Sequence, residues 1–223
     1  MLEPRELLKR FAAATLLGLA FLGSAAGCSG DGSTAEPNPQ PLAADVVIPN
    51  QSLTDWVSYA NQVSVVTVLS EAEIEPPSEV RSRKEGYIGR TVMLRIDDTL
   101  WTAPGVSAVQ GQISMTVIGW HLKGDRKIPF GGRLEAGMTY VMPIASIKGQ
   151  WADASVTAPV PVAGPVVAAS VKDGNSWTRE LAGVSLSALS ARLAATPPDP
   201  VAARFADLPG GERADAVRKA QGR

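Results

Sequence analysis

The chain has 223 residues, of which 45% are hydrophobic and 19% are charged, and its 21 Lys and Arg residues nearly balance its 22 Asp and Glu residues. A chain of this composition can bury enough apolar surface to fold, so disorder along its whole length is excluded. One Cys and one His permit neither an internal disulfide nor a Cys/His zinc site, and a formal net charge of -1 gives no field that attracts nucleic acid. We therefore expect a folded domain with no metal, no other cofactor and no nucleic-acid partner.

The N-terminus has the layout of a secretory signal peptide. Arg5, Lys9 and Arg10 precede an uncharged run of 16 residues, 11–26, that is rich in Ala, Leu and Phe. A helix that crosses a bilayer needs about 20 apolar residues, so this shorter run favours a cleaved signal over a permanent transmembrane anchor. We expect cleavage to remove residues 1–27.

The only cysteine directly follows this run, in the sequence Ala25-Ala26-Gly27-Cys28. These residues resemble the lipobox of bacterial lipoproteins, although position 25 carries Ala where Leu is common. The resemblance implies a cut before Cys28, a diacylglycerol on its sulfur, and acyl chains such as palmitate that hold the protein on the extracytoplasmic face of the cell membrane. The alternative is an ordinary signal peptide followed by an unmodified, buried thiol.

The mature chain of 196 residues would then begin with a tether. Residues 28–50 are rich in Pro, Gly, Ser and Asn, so they are predicted to form a lipidated, flexible segment. A folded domain is predicted over residues 51–196. Residues 197–223, which contain Pro200, Pro209 and Gly210-Gly211, are predicted to form a tail, and a frayed helix over the charged stretch 212–219 is the alternative within it.

The domain is predicted to be mainly β, because its short apolar segments are rich in β-branched residues and are separated by Gly, Pro and Asp. Residues 62–69 form a nearly continuous apolar run, which suits a strand that is covered on both faces or lies within a closed barrel. Residues 88–96 and 112–120 instead alternate between apolar and polar, which predicts strands with one core-facing side. Residues 134–144 are predicted to form a glycine turn followed by an alternating strand with Tyr140, Met142 and Ile144 on one face. Within this strand, Pro143 is expected at an edge or a bulge, because it cannot donate to a ladder. Weaker strands are expected at residues 151–157 and 166–171.

One helix is predicted at the end of the domain. Ser185 is a suitable N-cap, Leu186, Leu189 and Leu193 lie at helical spacing, and Pro197-Pro198 prevents continuation. We expect this helix to pack on the β-domain.

The order of strands at 63–69, 92–101, 113–124 and 134–144, followed by this helix, resembles small bacterial extracytoplasmic β-barrels related to the OB and netrin-like folds. The resemblance implies a small antiparallel barrel, closed or partly open, with the C-terminal helix packed on it. It also implies a binding type of protein with no shared catalytic residues. A β-sandwich would have a similar number of strands and is the alternative.

The candidate binding residues are Trp101, Trp120 and His121. His121 is the only imidazole, and no nucleophile elbow occurs in the chain, so a surface or half-buried His is favoured over a general base. Trp101 and Trp120 each precede a predicted turn, where an exposed indole would offer a contact for a sugar ring or a protein. The opposing interpretation is that these two, together with Trp56, Trp151 and Trp177, fill the core.

Acidic residues offer a second kind of site. Glu71, Glu73 and Glu75 alternate, which in an extended chain directs their carboxylates to one side, and Asp97-Asp98 end another predicted strand. The spacing does not match a calcium loop, so a solvated loop is favoured. A carboxylate-dependent envelope hydrolase that uses Glu73, Asp97 and Asp98 would need these acids to converge in one pocket, with at least one raised pKa.

The expected function is therefore that of a membrane-anchored extracytoplasmic lipoprotein, a non-enzymatic binding or scaffold module of the cell envelope. Its partners would be the membrane, through the lipid on Cys28, and an envelope protein or a glycan. The envelope hydrolase is the alternative.

Overall fold

The computed structural model describes residues 48–130, 134–153, 159–168 and 179–222, all of which belong to one of the two units into which the chain divides, Pro39–Arg223. The predicted signal peptide, Cys28, most of the predicted tether and Trp177 lie outside the described residues. The strands are β1 (Gln62–Glu73), β2 (Glu85–Thr102), β3 (Gly111–Lys123), β4 (Arg126–Pro129), β5 (Thr139–Ile147), β6 (Gln150–Asp153), β7 (Val160–Ala163) and β8 (Val166–Val167). The described helices include α1 (Leu53–Tyr59), α2 (Ser78–Arg83), α3 (Leu186–Ala195), α4 (Pro200–Ala203) and α5 (Gly210–Ala220).

The strands form one antiparallel sheet in the order β4-β3-β2-β1-β5-β7-β8, with β6 paired to β5. The prediction of a mainly β domain is therefore confirmed. β3 and β6 lie close to each other, but no ladder joins them in the described part of the chain. The sheet accordingly does not close on itself, and the described strands do not form the closed barrel that was one of the expectations.

The sheet carries a separate apolar cluster on each face. The first cluster lies between the sheet and helices α1 and α3, at the end of β1 that contains Gln62, which we call the Gln62 end. It consists of Trp56, Val57, Ala60, Val63, Val65, Leu100, Val141, Val160, Val167, Leu181, Leu189 and Leu193. The second cluster lies on the opposite face and consists of Val66, Val68, Val92, Leu94, Ile113, Met115, Leu134, Tyr140, Met142 and Ile144. The other end of β1, the Glu73 end, belongs to neither cluster.

Alternation along β1 explains how this strand contributes to both clusters, because Val63 and Val65 lie on one face and Val66 and Val68 on the other. The pairing of β1 with β2 shifts between Val63 and Ser64, between Val65 and Val66, and between Val68 and Ser70. The first two shifts leave Leu100 and Asp97 of β2 without a partner in this ladder, and the third leaves Leu69 of β1 without one, so only the third reverses the face that the following side chains of β1 occupy. Valines on both faces of β1 are buried, as the continuous apolar run at residues 62–69 predicts.

The alternating segments behave as predicted. In β2, Val92 and Leu94 are buried on the face of the second cluster, and Ile113 and Met115 of β3 lie opposite them. The alternation of Tyr140, Met142 and Ile144 in β5 is also confirmed, since all three belong to this cluster.

Pro143 occupies a break on the outer side of β5. On its inner side it pairs with Val63 of β1. On the outer side, β5 pairs with β7 at Tyr140 and Val141, and it pairs with β6 from Ile144 onward. A proline, which has no N–H to donate, interrupts no ladder hydrogen bond at such a change of partner.

The predicted helix is α3. The hydroxyl of Ser185 accepts a hydrogen bond from the Ala188 amide at 3.1 Å, which confirms this residue as the N-cap. Leu189 and Leu193 are buried in the first cluster, and the Ser190 hydroxyl donates to the Leu100 carbonyl oxygen at 2.6 Å. The helix ends before Pro197-Pro198, as predicted.

Residues 197–223 differ from the predicted tail, because they contain α4 and α5, and α5 packs on β5. Gly210 and Gly211, at the start of α5, are both buried. A Cβ at Gly210 would overlap the carbonyl oxygen of Tyr59, and one at Gly211 would overlap the side chain of Ile147. The two glycines therefore permit an approach of helix to sheet that no other residue allows.

Arg213 attaches this segment to the rest of the domain. Although its side chain is charged, the residue is only 5% exposed. Its guanidinium donates to four backbone carbonyl oxygens, those of Ser58 at 2.7 Å, Phe205 at 3.2 Å, Ala206 at 2.9 Å and Leu208 at 2.9 Å. Burial lowers the pKa of this guanidinium, while Asp207 and Tyr59 act in the opposite direction. One side chain thus joins α1 to the loop between α4 and α5.

We expect the substitution Arg213→Met to lower the free energy of unfolding by roughly 2–4 kcal/mol, because it leaves several buried carbonyl oxygens without a donor. Lys219→Met on the exposed side of the same helix is the matched control. Urea denaturation of the full-length chain, followed by circular dichroism, measures both. Equal stability of the two variants would contradict this role of Arg213.

Candidate functional site

The three predicted binding residues lie in different surroundings. Trp101 in β2 is half-buried and packs against the first cluster, so its indole belongs to the core. Trp120 and His121 are neighbours in β3, and successive side chains of a strand point to opposite faces. Trp120 shares the face of Ile88, and the Lys127 ammonium lies 5.7 Å from its ring centroid. His121 lies on the other face.

An aromatic group surrounds His121. The register places Tyr87 of β2 and Ile128 of β4 on either side of it. The centroids of the Tyr87 and His121 rings are 5.2 Å apart, and the Phe130 ring meets the Tyr87 ring edge to face at 4.9 Å. Tyr87 is nevertheless 48% exposed and Ile128 is 38% exposed. Large apolar side chains therefore meet solvent together at this place.

This group belongs to a longer part of the same sheet face that has no formal charge outside the imidazole. The register defines four successive rows of residues, which are Ser70–Met93–Ser114, Ala72–Thr91–Thr116, Gly89–Ile118 and Tyr87–His121–Ile128. We call these residues, together with Phe130, the open face. From Met93 to Tyr87 it extends roughly 20 Å along β2, and each row spans about 5–10 Å across the strands.

Charged rows border the open face at both ends. Toward the Gln62 end, Arg95 pairs in register with Thr67 and donates to Asp97 at 2.6 Å. Beyond the aromatic group, Lys123 lies between Glu85 and Arg126. An antiparallel sheet that is covered on one side normally shows polar and charged residues on the other. The open face differs, because it is an uncharged interval between two charged borders.

The opposite face at the Glu73 end carries ion pairs. Arg90 is 2% exposed; its guanidinium binds the Glu71 carboxylate and donates to the Leu134 carbonyl oxygen at 2.7 Å. The Lys127 ammonium, which lies over Trp120, donates to Glu73 at 2.5 Å. These contacts end the second apolar cluster with a layer of paired charges.

The five acidic residues do not all converge. Their partners are Arg90 for Glu71, Lys127 for Glu73, Arg81 for Glu75, Thr67 and Arg95 for Asp97, and the Thr99 amide for Asp98. The alternation in β1 does bring Glu71 and Glu73 to one face. Asp98, however, pairs with Val65, eight residues before Glu73 on β1, which corresponds to roughly 25 Å.

Asp97 also differs from a general acid. Partial burial favours its neutral form, but hydrogen bonds from Thr67 and Arg95 and the charge of Arg95 outweigh that effect, so that its pKa is lowered. A general acid needs a raised pKa. In the described ranges no group of three or more His, Cys, Asp and Glu residues is placed to hold a metal ion.

Part of this arrangement carries a weak sequence signal. Tyr87 and Phe130 are single aromatics in charged surroundings, and Ile128 belongs to the four-residue strand β4. Their proximity to His121 depends on the β2–β3 register, which shifts between Ile88 and Gly89. The signal that could have been used is the hairpin around Gly124-Asp125, because it places residues 120–123 opposite residues 126–129.

Comparison of the chain with protein-family models, curated proteins and solved structures finds no match. Among the described residues no helix is both long enough and apolar enough to span a membrane.

The ion pairs of Glu71 and Glu75 differ in burial, so the effects of removing each charge on stability can be compared. We expect Glu71→Gln to destabilise the protein by about 3 kcal/mol, because it leaves the buried Arg90 guanidinium without a counter-charge. The control is Glu75→Gln, whose partner Arg81 is largely exposed, and we expect a change below about 1 kcal/mol. Urea denaturation measures both variants; a Glu71→Gln effect no larger than the control would contradict the structural role of this pair.

Proposed function

We propose that the chain is a lipid-anchored extracytoplasmic lipoprotein that acts as a non-enzymatic binding module of the cell envelope, and that the open face is its binding surface. The observation that carries the proposal is the group formed by the Tyr87, His121 and Phe130 rings and the Ile128 side chain, in which Tyr87 and Ile128 are exposed, on a face with charged borders. Exposed aromatic residues on rigid strands supply contact area at low entropic cost.

We also propose that the sheet forms a partly open antiparallel barrel of the OB or netrin-like type. Two features support it. β3 and β6 approach each other without pairing, and half-buried Trp151 of β6 packs against the same second cluster as Val117 of β3. A sheet curled in this way surrounds one apolar cluster while it leaves the outer surface available.

The position of the first described residue fits a tethered domain. Ile48 packs with Tyr59, Ala145 and Val217, beside the Gln62 end of the sheet. The aromatic group lies toward the Glu73 end, and β1 alone separates the two ends by roughly 35 Å. A chain that runs from a lipidated Cys28 would enter the described part of the domain at Ile48, near the Gln62 end of the sheet.

The lipid anchor is tested at the N-terminus. We expect the membrane fraction of bacteria that express the full-length chain to contain an N-terminal peptide that begins at Cys28 and carries a diacylglycerol, detected by mass spectrometry. Cys28→Ala should abolish this peptide, because it removes the acylated sulfur, whereas the adjacent control Ser29→Ala should retain it. An unmodified thiol or a retained Met1 in the wild type would contradict the anchor.

The binding role is tested with a photoreactive benzoylphenylalanine at position 87, incorporated into the full-length chain in intact cells. We expect adducts with a protein or a carbohydrate from position 87, because its ring meets solvent within the aromatic group. The control is position 138, where Met138 is 45% exposed but lies outside the open face. The same adducts from both positions, or none from position 87, would contradict the proposal.

A further inference from the structure

We infer that the open face binds an uncharged glycan chain, with the Tyr87 ring as its stacking platform. This inference rests on the proposed function, in which the open face is the binding surface. It is carried by three features of the face, namely a supported aromatic ring, hydroxyl groups in neighbouring rows and the placement of charge.

The Tyr87 ring is held in place from two sides. The His121 ring lies at 5.2 Å with an interplanar angle of 32°, and the Phe130 ring meets it at 70°. Since nearly half of Tyr87 remains accessible, a ligand ring can stack on it with little loss of side-chain entropy. The apolar C–H face of a pyranose ring is a chemical match for such a surface.

Hydroxyl groups continue the face beyond the aromatic group. Ser70, Thr91, Ser114 and Thr116 occupy two neighbouring rows, and their hydroxyls form no side-chain hydrogen bond with another described residue. Each hydroxyl can donate one hydrogen bond and accept two, so it can pair with the hydroxyl groups of a sugar in either direction. A chain of sugar rings presents apolar faces and hydroxyls in close succession, as the open face does.

The placement of charge selects an uncharged ligand. Between the border at Arg95 and the border at Lys123, the open face contains no Lys, Arg, Asp or Glu. A polyanionic chain would have no cation to pair with along these rows, and the desolvation of its charges would be uncompensated. A neutral chain has no such cost.

A protein partner fits the face less well. Ser and Thr are under-represented among the residues that contribute most to protein interfaces, whereas here they form the central rows. A second copy of the chain, packed face to face, would bury the hydroxyls of both copies and would gain few large apolar contacts beside the aromatic group.

The experiment uses the full-length chain in detergent micelles and isothermal titration with three neutral hexasaccharides, cellohexaose, chitohexaose and maltohexaose. Hexagalacturonate is the charged comparison. We expect at least one neutral hexasaccharide to bind and hexagalacturonate to bind more weakly. Tyr87→Ala should weaken binding about tenfold, while Tyr87→Phe, which keeps the ring, should change it by less than about threefold. Met138→Ala is the exposed control and should leave the affinity unchanged.

Circular dichroism shows whether each variant is folded, and the shift of the His121 imidazole resonances on addition of sugar gives a second readout that needs no substitution. Absence of binding by all three neutral hexasaccharides, binding that is insensitive to Tyr87→Ala, or tighter binding of hexagalacturonate would overturn the inference. Photo-crosslinking from position 87 separates the two proposals. Protein adducts without sugar binding would overturn the glycan alone, whereas the absence of both would overturn the binding role as well.

Discussion

The long antiparallel pair of β1 and β2 is the constraint on which the rest of the structure depends. Eleven of the twelve residues of β1 pair with β2 through three register shifts, and the shift at Leu69 changes which face the following side chains of β1 occupy. At the Gln62 end the strand contributes valines to both apolar clusters by alternation along the chain. Toward the Glu73 end it places Glu71 on one face and Ser70 and Ala72 on the other. The open face exists because helices α1 and α3 cover the sheet only at the Gln62 end.

Two buried arginines complete the domain by donating hydrogen bonds to oxygen atoms of other segments. Arg90 ends the second cluster and has a carboxylate as partner, whereas Arg213 joins α1 to the C-terminal segment through carbonyl oxygens alone. Since a buried charge is costly unless it is well paired, each arginine stabilises only the arrangement that supplies its partners. Both consequently favour one geometry of the chain over alternative compact ones.

The strands with clear apolar periodicity could be predicted from the sequence, as could α3 with its N-cap Ser185. The packing of the C-terminal helix α5 could not be predicted, because its contacts depend on two glycines and a charged residue. The sequence alone suggests that Gly210 and Gly211 break a helix. They begin one here because the Tyr59 backbone and the Ile147 side chain leave no room for a Cβ atom. Arg213 gives a polar pattern although it is buried.

The candidate site was predictable to a smaller extent. His121 lies in it, but Trp120 points to the opposite face and Trp101 packs against the first cluster. Neighbouring residues of a strand cannot share a face, so this separation was open to inference. The association of Tyr87 and Phe130 with His121 could not be inferred, because it depends on a register shift at Ile88 and on the short strand β4.

An exposed, uncharged sheet face invites self-association, and the flanking strand shows how this chain limits it. β4 is the edge strand beside the aromatic group and has the sequence Arg126-Lys127-Ile128-Pro129. Arg126 places a charged side chain at this edge, and the proline removes a donor that strand pairing would require. Edge-to-edge pairing is thus disfavoured while the face itself stays accessible. Such a division between a protected edge and an available face suits a ligand that lies on the sheet face rather than one that adds a strand to the sheet.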